Sequence, residues 1–176
     1  GGREASSASK LARAIGATPT VHEPRLSKRP TALELVVTDT ALHRNSLVAY
    51  DPLVRVDAPD AVHQMRIAAR RMRSALRTFR DLFDRDVTDP LRDELRWYAG
   101  VLGGPRDAEV VRARVLEQID AVPRRDYEGP VKRSATAELD RVHAEAHAAL
   151  VEALDSTRYA ALLDRLAEFL AADAPV

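Results

Sequence analysis

After Pro30, apolar residues recur in steps of three and four along most of the chain, the spacing of one face of an α-helix. Thr31 suits the cap of a first helix running to about Tyr50, with Leu35, Val36, Leu42, Val48 and Ala49 among its buried positions, until Asp51-Pro52 ends it. A second helix is expected to open at Asp57-Ala58-Pro59-Asp60, with Asp57 as N-cap and Pro59 in the first turn, and to continue to about Asp84. Its core stripe reads Val62, Met65, Ala69, Met72, Leu76, Phe79 and Phe83. A third helix covers Thr88 or Asp89 to Leu102, where Gly103-Gly104-Pro105 is expected to break it, and a fourth covers Arg106 to Ala121. A fifth starts after Gly129-Pro130 and reaches Leu154, and a sixth covers Thr157 to Ala171 behind a Ser156 or Asp155 cap. No segment alternates with the period of a strand. The pattern predicts an all-α fold, an antiparallel helical bundle of about six helices joined by short connections.

Composition agrees with helix packing. Hydrophobic residues make up 45% of the 176 positions and aromatics only 5%, and the apolar set is mostly Ala, Leu and Val. Residues 1–30 differ: they are small and polar, then interrupted by three prolines, which reads as a flexible linker or the remnant of an upstream domain, leaving residues 31–176 as one bundle. No cysteine is present, so disulfides and thiolate nucleophiles are excluded and a cytoplasmic location is the expectation. No apolar run approaches the ~18 residues of a membrane span.

Charge changes the picture in one place. The chain has 27 Lys+Arg against 27 Asp+Glu, yet residues 61–80 hold six arginines, one histidine and no acid. His63, Arg66, Arg70, Arg73 and Arg77 take the same three-and-four steps as the core stripe, displaced by one residue or about 100° around the axis. They form a cationic row of roughly 21 Å on the shoulder of the buried face. Like charges at this spacing disfavour a helix by roughly 0.2–0.5 kcal/mol per pair, so something must neutralise them. Acids from other helices are one answer, since the remainder of the chain is net negative. A ligand is the other: arginine alone, without lysine, offers rigid forks that bind phosphate oxygens bidentately, and a linear array suits a linear polyanion. Arg92 and Arg96 sit four apart on the next helix and extend the set.

Other chemistries find less support. Gly103-Gly104-Pro105-Arg106 lacks the Gly-Lys-Ser/Thr of a phosphate-binding loop, and no Ser/His/Asp spacing stands out, so no catalytic residue is assigned. His143 and His147, four apart, are able to hold a metal but lack the Glu of a His-Glu-x-x-His motif; neither a metal nor a cofactor is assigned. Trp97 and Tyr98 suit the core better than base stacking. A nucleic-acid binder would use the same stripe, and so would an adaptor for an acidic protein; neutrality and few aromatics count against nucleic acid.

The segment VHQMRIAARRMRSALRTF resembles the signature helix of CHAD domains, the conserved histidine α-helical domains, whose pattern is a His, an Arg three residues on and further basic residues at helical spacing. LRDELRWYAGVLGGPRDAEVV is similar to that family's second signature, a helix ending in Leu-Gly before an Arg-Asp pair, and DSTRYAALLDRL is similar to the segment closing the domain's first half. The resemblance implies a polyphosphate-binding module, built as two similar bundles around a basic channel, without catalysis of its own. By motif it assigns His63, Arg66, Arg70, Arg71 and Arg73 to the polyphosphate site, with Arg106 and Asp107 as the Arg-Asp pair; Arg77 and Arg96 join from spacing. Asp107 is expected to orient Arg106 or to cap the fourth helix. Only one copy of the His/Arg helix is present, so the resemblance is to the N-terminal half, which implies a homo-oligomer or pairing with a second CHAD half. ASKLARAIG is similar to the tail of the CYTH triphosphatase domain, where any hydrolysis would belong. Association with polyphosphate granules in the cytoplasm follows as an expectation.

Overall fold

The computed structural model describes residues 26–123 and 130–171. Among them it contains six α-helices, one turn of 3-10 helix and no strand. The helices are α1 (Ala32–Arg55), α2 (Ala61–Thr78), α3 (Arg85–Val101), α4 (Gly103–Ala121), α5 (Val131–Leu154) and α6 (Thr157–Ala171), with the 3-10 turn at Arg80–Leu82. Consecutive helices pack most extensively, α1 on α2, α2 on α3 and α4 on α5, and α6 closes the bundle against α1, α3 and α5. The all-α antiparallel bundle expected from the sequence is the observed fold.

Local chemistry explains three of the beginnings. Thr31 and Glu34 form a reciprocal capping box at the start of α1: the Glu34 amide donates to Thr31 Oγ1 at 3.2 Å, and the Thr31 amide donates to Glu34 Oε2 at 2.7 Å. That backbone hydrogen bond, reinforced by the Thr31 and Ser27 hydroxyls, holds the Glu34 carboxyl below its usual range despite a small opposing desolvation. Asp84 caps α3 by accepting from the Asp86 amide at 2.9 Å, and Ser156 caps α6 by accepting from the Tyr159 amide at 3.2 Å.

Several boundaries move from their sequence positions. Asp51-Pro52 does not end α1, which continues to Arg55; the proline forfeits one hydrogen bond in the last turn, on an exposed side. Asp57 is not the N-cap of α2. The chain instead turns through Asp57 at φ 51° and Asp60 at φ 65°, two left-handed residues of the one non-glycine type that, with Asn, tolerates them, and α2 starts at Ala61 without a side-chain cap. The helix stops at Thr78 rather than Asp84, because the 3-10 turn intervenes and Asp84 begins α3 at Arg85, ahead of Thr88. Phe79 therefore leaves the core stripe and is exposed, while Phe83 remains buried against Phe169 at 5.4 Å between ring centroids. Leu35 and Val48 are exposed as well, whereas Val36 is buried; the inward face of α1 is centred on Val36, Thr40, Leu47 and Val54. Gly103-Gly104-Pro105 does not break the chain. Leu102 is a one-residue pivot, and the two glycines and the proline form the first turn of α4, where proline's missing N–H has no intrahelical partner to lose.

Candidate functional site

The azimuth of α2 is fixed before any charge is considered. Ala61, Val62, Met65, Ala68, Ala69, Met72 and Leu76 are all buried. The Tyr98 hydroxyl of α3 donates to the Met65 sulfur at 2.9 Å, and its ring stacks on Tyr159 of α6 at 5.2 Å. Burial raises the Tyr98 hydroxyl well above the ordinary phenol range, so it stays a donor. These contacts clamp one face of α2 and decide which face remains for solvent.

On that helix His63, Arg66, Arg70, Arg73 and Arg77 fall within about 80° of one another, at 100° per residue. Arg70 and Arg77 are exposed, and His63, Arg66 and Arg73 are half-buried. Arg71 does not join them: it lies about 120° from the centre of the row, on the side that meets α1. There Ala75 and Phe79 line a mostly apolar groove with Leu35, Val36, Leu42 and, at one polar point, Asp39 of α1.

Among the described residues one stripe member has an acidic partner. Arg66 Nη1 donates to Asp107 Oδ1 at 3.0 Å, joining α2 to the first turns of α4. His63, Arg70, Arg73 and Arg77 make no ion pair or side-chain hydrogen bond with another described residue, nor does Arg71. Internal acids therefore neutralise one end of the row and leave three consecutive arginines open.

The other candidate cations are more occupied. Arg96 pairs with Asp93 at 3.2 Å on its own helix and stays two-thirds exposed. Arg92 pairs with Asp89 at 2.5 Å and keeps a buried Nε with no acceptor. Both lie on the shoulder of α3 away from Trp97 and Glu94, which are covered by Arg158 of α6: its guanidinium sits 4.2 Å from the Trp97 centroid and donates to Glu94 at 2.8 Å. That hydrogen bond keeps the Glu94 carboxyl below its usual range. Arg106 is held by Glu109 at 2.8 Å and is largely covered. Asp107 neither orients Arg106 nor caps α4, whose N-cap is Leu102; its contact is Arg66. Trp97 is half-buried and Tyr98 fully so, which makes both structural.

His143 and His147 serve the fold. His143 Nε2 bonds Asp57 Oδ2 at 2.8 Å, and His147 Nε2 donates to the Val54 carbonyl at 2.7 Å, fastening α5 to the corner between α1 and α2. Both Nε2 atoms are thereby used. No group of three or more His, Asp or Glu able to hold a metal occurs among the described residues.

The spacing of the stripe was legible in the sequence; the Arg66 to Asp107 pair, 41 residues apart, was not, since nothing local marks it. The Asp89 to Arg92 pair lies at i,i+3, a spacing that the sequence itself signals.

A family profile described as "CHAD domain" matches residues 39–176. Two proteins of Mycobacterium tuberculosis, both described as uncharacterized (MT2285 and Rv2226), are each 36% identical over 166 residues, 94% of this chain and 32% of theirs. The chain thus spans about a third of the length of these curated relatives. The solved structure of PptA from Streptomyces chartreusis superposes with a TM-score of 0.64 at 28% identity, covering 84% of this chain and 51% of that one. The His/Arg helix, the Arg-Asp pair at the head of α4 and the matched profile agree: the chain belongs to the CHAD domain family.

Proposed function

We propose that this chain is a non-catalytic module that binds inorganic polyphosphate along α2. The observation that carries the reading is the run Arg70, Arg73 and Arg77, one helical face of permanent cations without a carboxylate partner among the described residues. A row of repelling charges is maintained at a cost in helix stability, and a linear chain of phosphates would remove it. Half-buried His63 and Arg66 extend the row toward α4, Arg92 and Arg96 flank it on α3, and Arg106 contributes by shaping the head of α4. Arg71, carried over from the family pattern, contacts ligand only where a polymer wraps around the helix. The reading places the protein in the cytoplasm, at polyphosphate granules, with a second helical bundle or a second copy as the other wall of the groove; the absence of cysteine from the sequence favours a reducing compartment.

Replacing Arg70 and Arg73 together with alanine tests the reading. If the stripe awaits a ligand, the apo variant melts at or slightly above the temperature of the unmodified chain, because repulsion is relieved and alanine is the stronger helix former. Polyphosphate then raises the melting temperature of the unmodified chain and not that of the variant. Binding weakens steeply with salt, and polyphosphate competes better than single-stranded DNA of equal charge. Equal or stronger competition by DNA would replace this reading with the nucleic-acid one.

A further inference from the structure

The Arg66 to Asp107 pair differs in kind from every other ion pair around the stripe. Arg96 and Asp93, Arg92 and Asp89, and Arg106 and Glu109 each lie within a single helix, so each pair moves as a unit. Arg66 and Asp107 come from two helices and meet through one contact, Nη1 to Oδ1 at 3.0 Å, rather than through a bidentate fork. Asp107 is 73% exposed and Arg66 40%, so solvent and solutes reach both. An exposed, single-contact carboxylate is a weak partner for arginine, and a phosphate chain with more charge and two oxygens per fork is a stronger one.

We infer that Asp107 is a built-in competitor for the head of the stripe. Building on the polyphosphate reading, the ligand first occupies Arg70, Arg73 and Arg77, which are open, and gains Arg66 only by exchanging it for the Asp107 carboxylate. Asp107 thereby sets specificity. A small anion arriving at Arg66 alone must displace a carboxylate already in place, whereas a long chain anchored on three arginines makes that exchange at high local concentration. The exchange also cuts the side-chain tie between α2 and the first turns of α4, so occupancy at the head of the stripe is felt by the α4 and α5 pair.

The test is Asp107→Asn in the 176-residue chain, alone and combined with Arg66→Ala, measured by titration with long-chain polyphosphate. Asparagine keeps the shape and removes the competing charge. Asp107→Asn is expected to tighten binding about two- to fivefold, the worth of an exposed ion pair, and to lower the apo melting temperature by about a few degrees at most, since the same pair is lost from the folded chain. In the Arg66→Ala background the same substitution is expected to gain less than half of that factor, because the competition has lost its object. Unchanged or weaker binding by Asp107→Asn, with the unmodified chain binding normally, would overturn the inference alone and make Asp107 a positioning residue for Arg66. Failure of the unmodified chain to bind would overturn the polyphosphate reading, and this inference with it.

Discussion

Neighbouring arginines in one sequence run have different fates because a helix separates consecutive residues by about 100°. Arg70 belongs to the stripe and Arg71 to the side facing α1, although both fit the family pattern equally well as letters. The polyphosphate reading therefore makes a residue-level forecast. Arg70→Ala is expected to lower the slope of log affinity against log salt by roughly 0.7–0.9, the loss of one phosphate contact, and Arg71→Ala to leave it within error. Salt titrations of the two variants with one polyphosphate preparation decide it; equal losses would mean that the polymer wraps the helix rather than lying along one face. Partners were the least legible part of the site. Spacing put His63, Arg66, Arg70, Arg73 and Arg77 on one helical face, and α2 spans all five; the Arg-Asp motif suggested that Asp107 orients Arg106 or caps the next helix, whereas it meets Arg66, because a pair between two helices depends on how they cross.

At the scale of single elements, the helices themselves were readable, and so were both ends of α5 and α6, but several other ends were not. Apolar periodicity placed all six, and α6 matches its expected span of Thr157–Ala171. Errors gathered where tertiary packing tolerates what an isolated helix would not: Pro52 inside α1, and a helix-to-helix pivot at Leu102 in place of a glycine break. The Thr31 cap of α1 was readable, because its chemistry is local: the capping box with Glu34 is complete within four residues. Thr31→Ala is expected to cost about 0.5–2 kcal/mol, read from thermal or denaturant melts at neutral pH. The pH dependence follows from Glu34. Its carboxyl titrates below its ordinary value in the folded chain, so its contribution is present above that value and is lost as pH falls through the lower, folded one. Removing the Thr31 hydroxyl takes away one of the bonds that depress it, so the stability lost between neutral and strongly acidic pH is expected to be smaller in Thr31→Ala than in the unmodified chain. An unchanged acid limb would show that the Thr31 amide and the Ser27 hydroxyl hold Glu34 without the Thr31 hydroxyl.

Over the whole molecule, burial is uneven. The body formed by α1, α2, α3 and α6 contains nearly all the buried apolar side chains, whereas α4 buries only Pro105 and α5 only Leu150 and Leu154. The two arms face each other, tied by Arg112 to Asp140 at 2.7 Å and by Lys132 to Asp120, and they reach the body through His143 and His147. Val110, Val111, Val122, Val131 and Val142 are left 41–50% exposed along them. Exposed apolar surface marks an interaction site where it is contiguous, and the chain spans about a third of the length of the curated relatives and half of the PptA chain. On the polyphosphate reading, a second bundle facing the stripe would add low-dielectric surroundings, where a phosphate contact is strongest. Sedimentation velocity with matched polyphosphate titrations is therefore expected to give one of two results that share this cause. Either the chain self-associates, or it remains monomeric and binds polyphosphate at least tenfold, or about 1.4 kcal/mol, more weakly than a protein in which a second helical bundle follows it. A monomer that binds as tightly as the two-bundle protein would mean that Arg66, Arg70, Arg73 and Arg77 suffice without a facing wall.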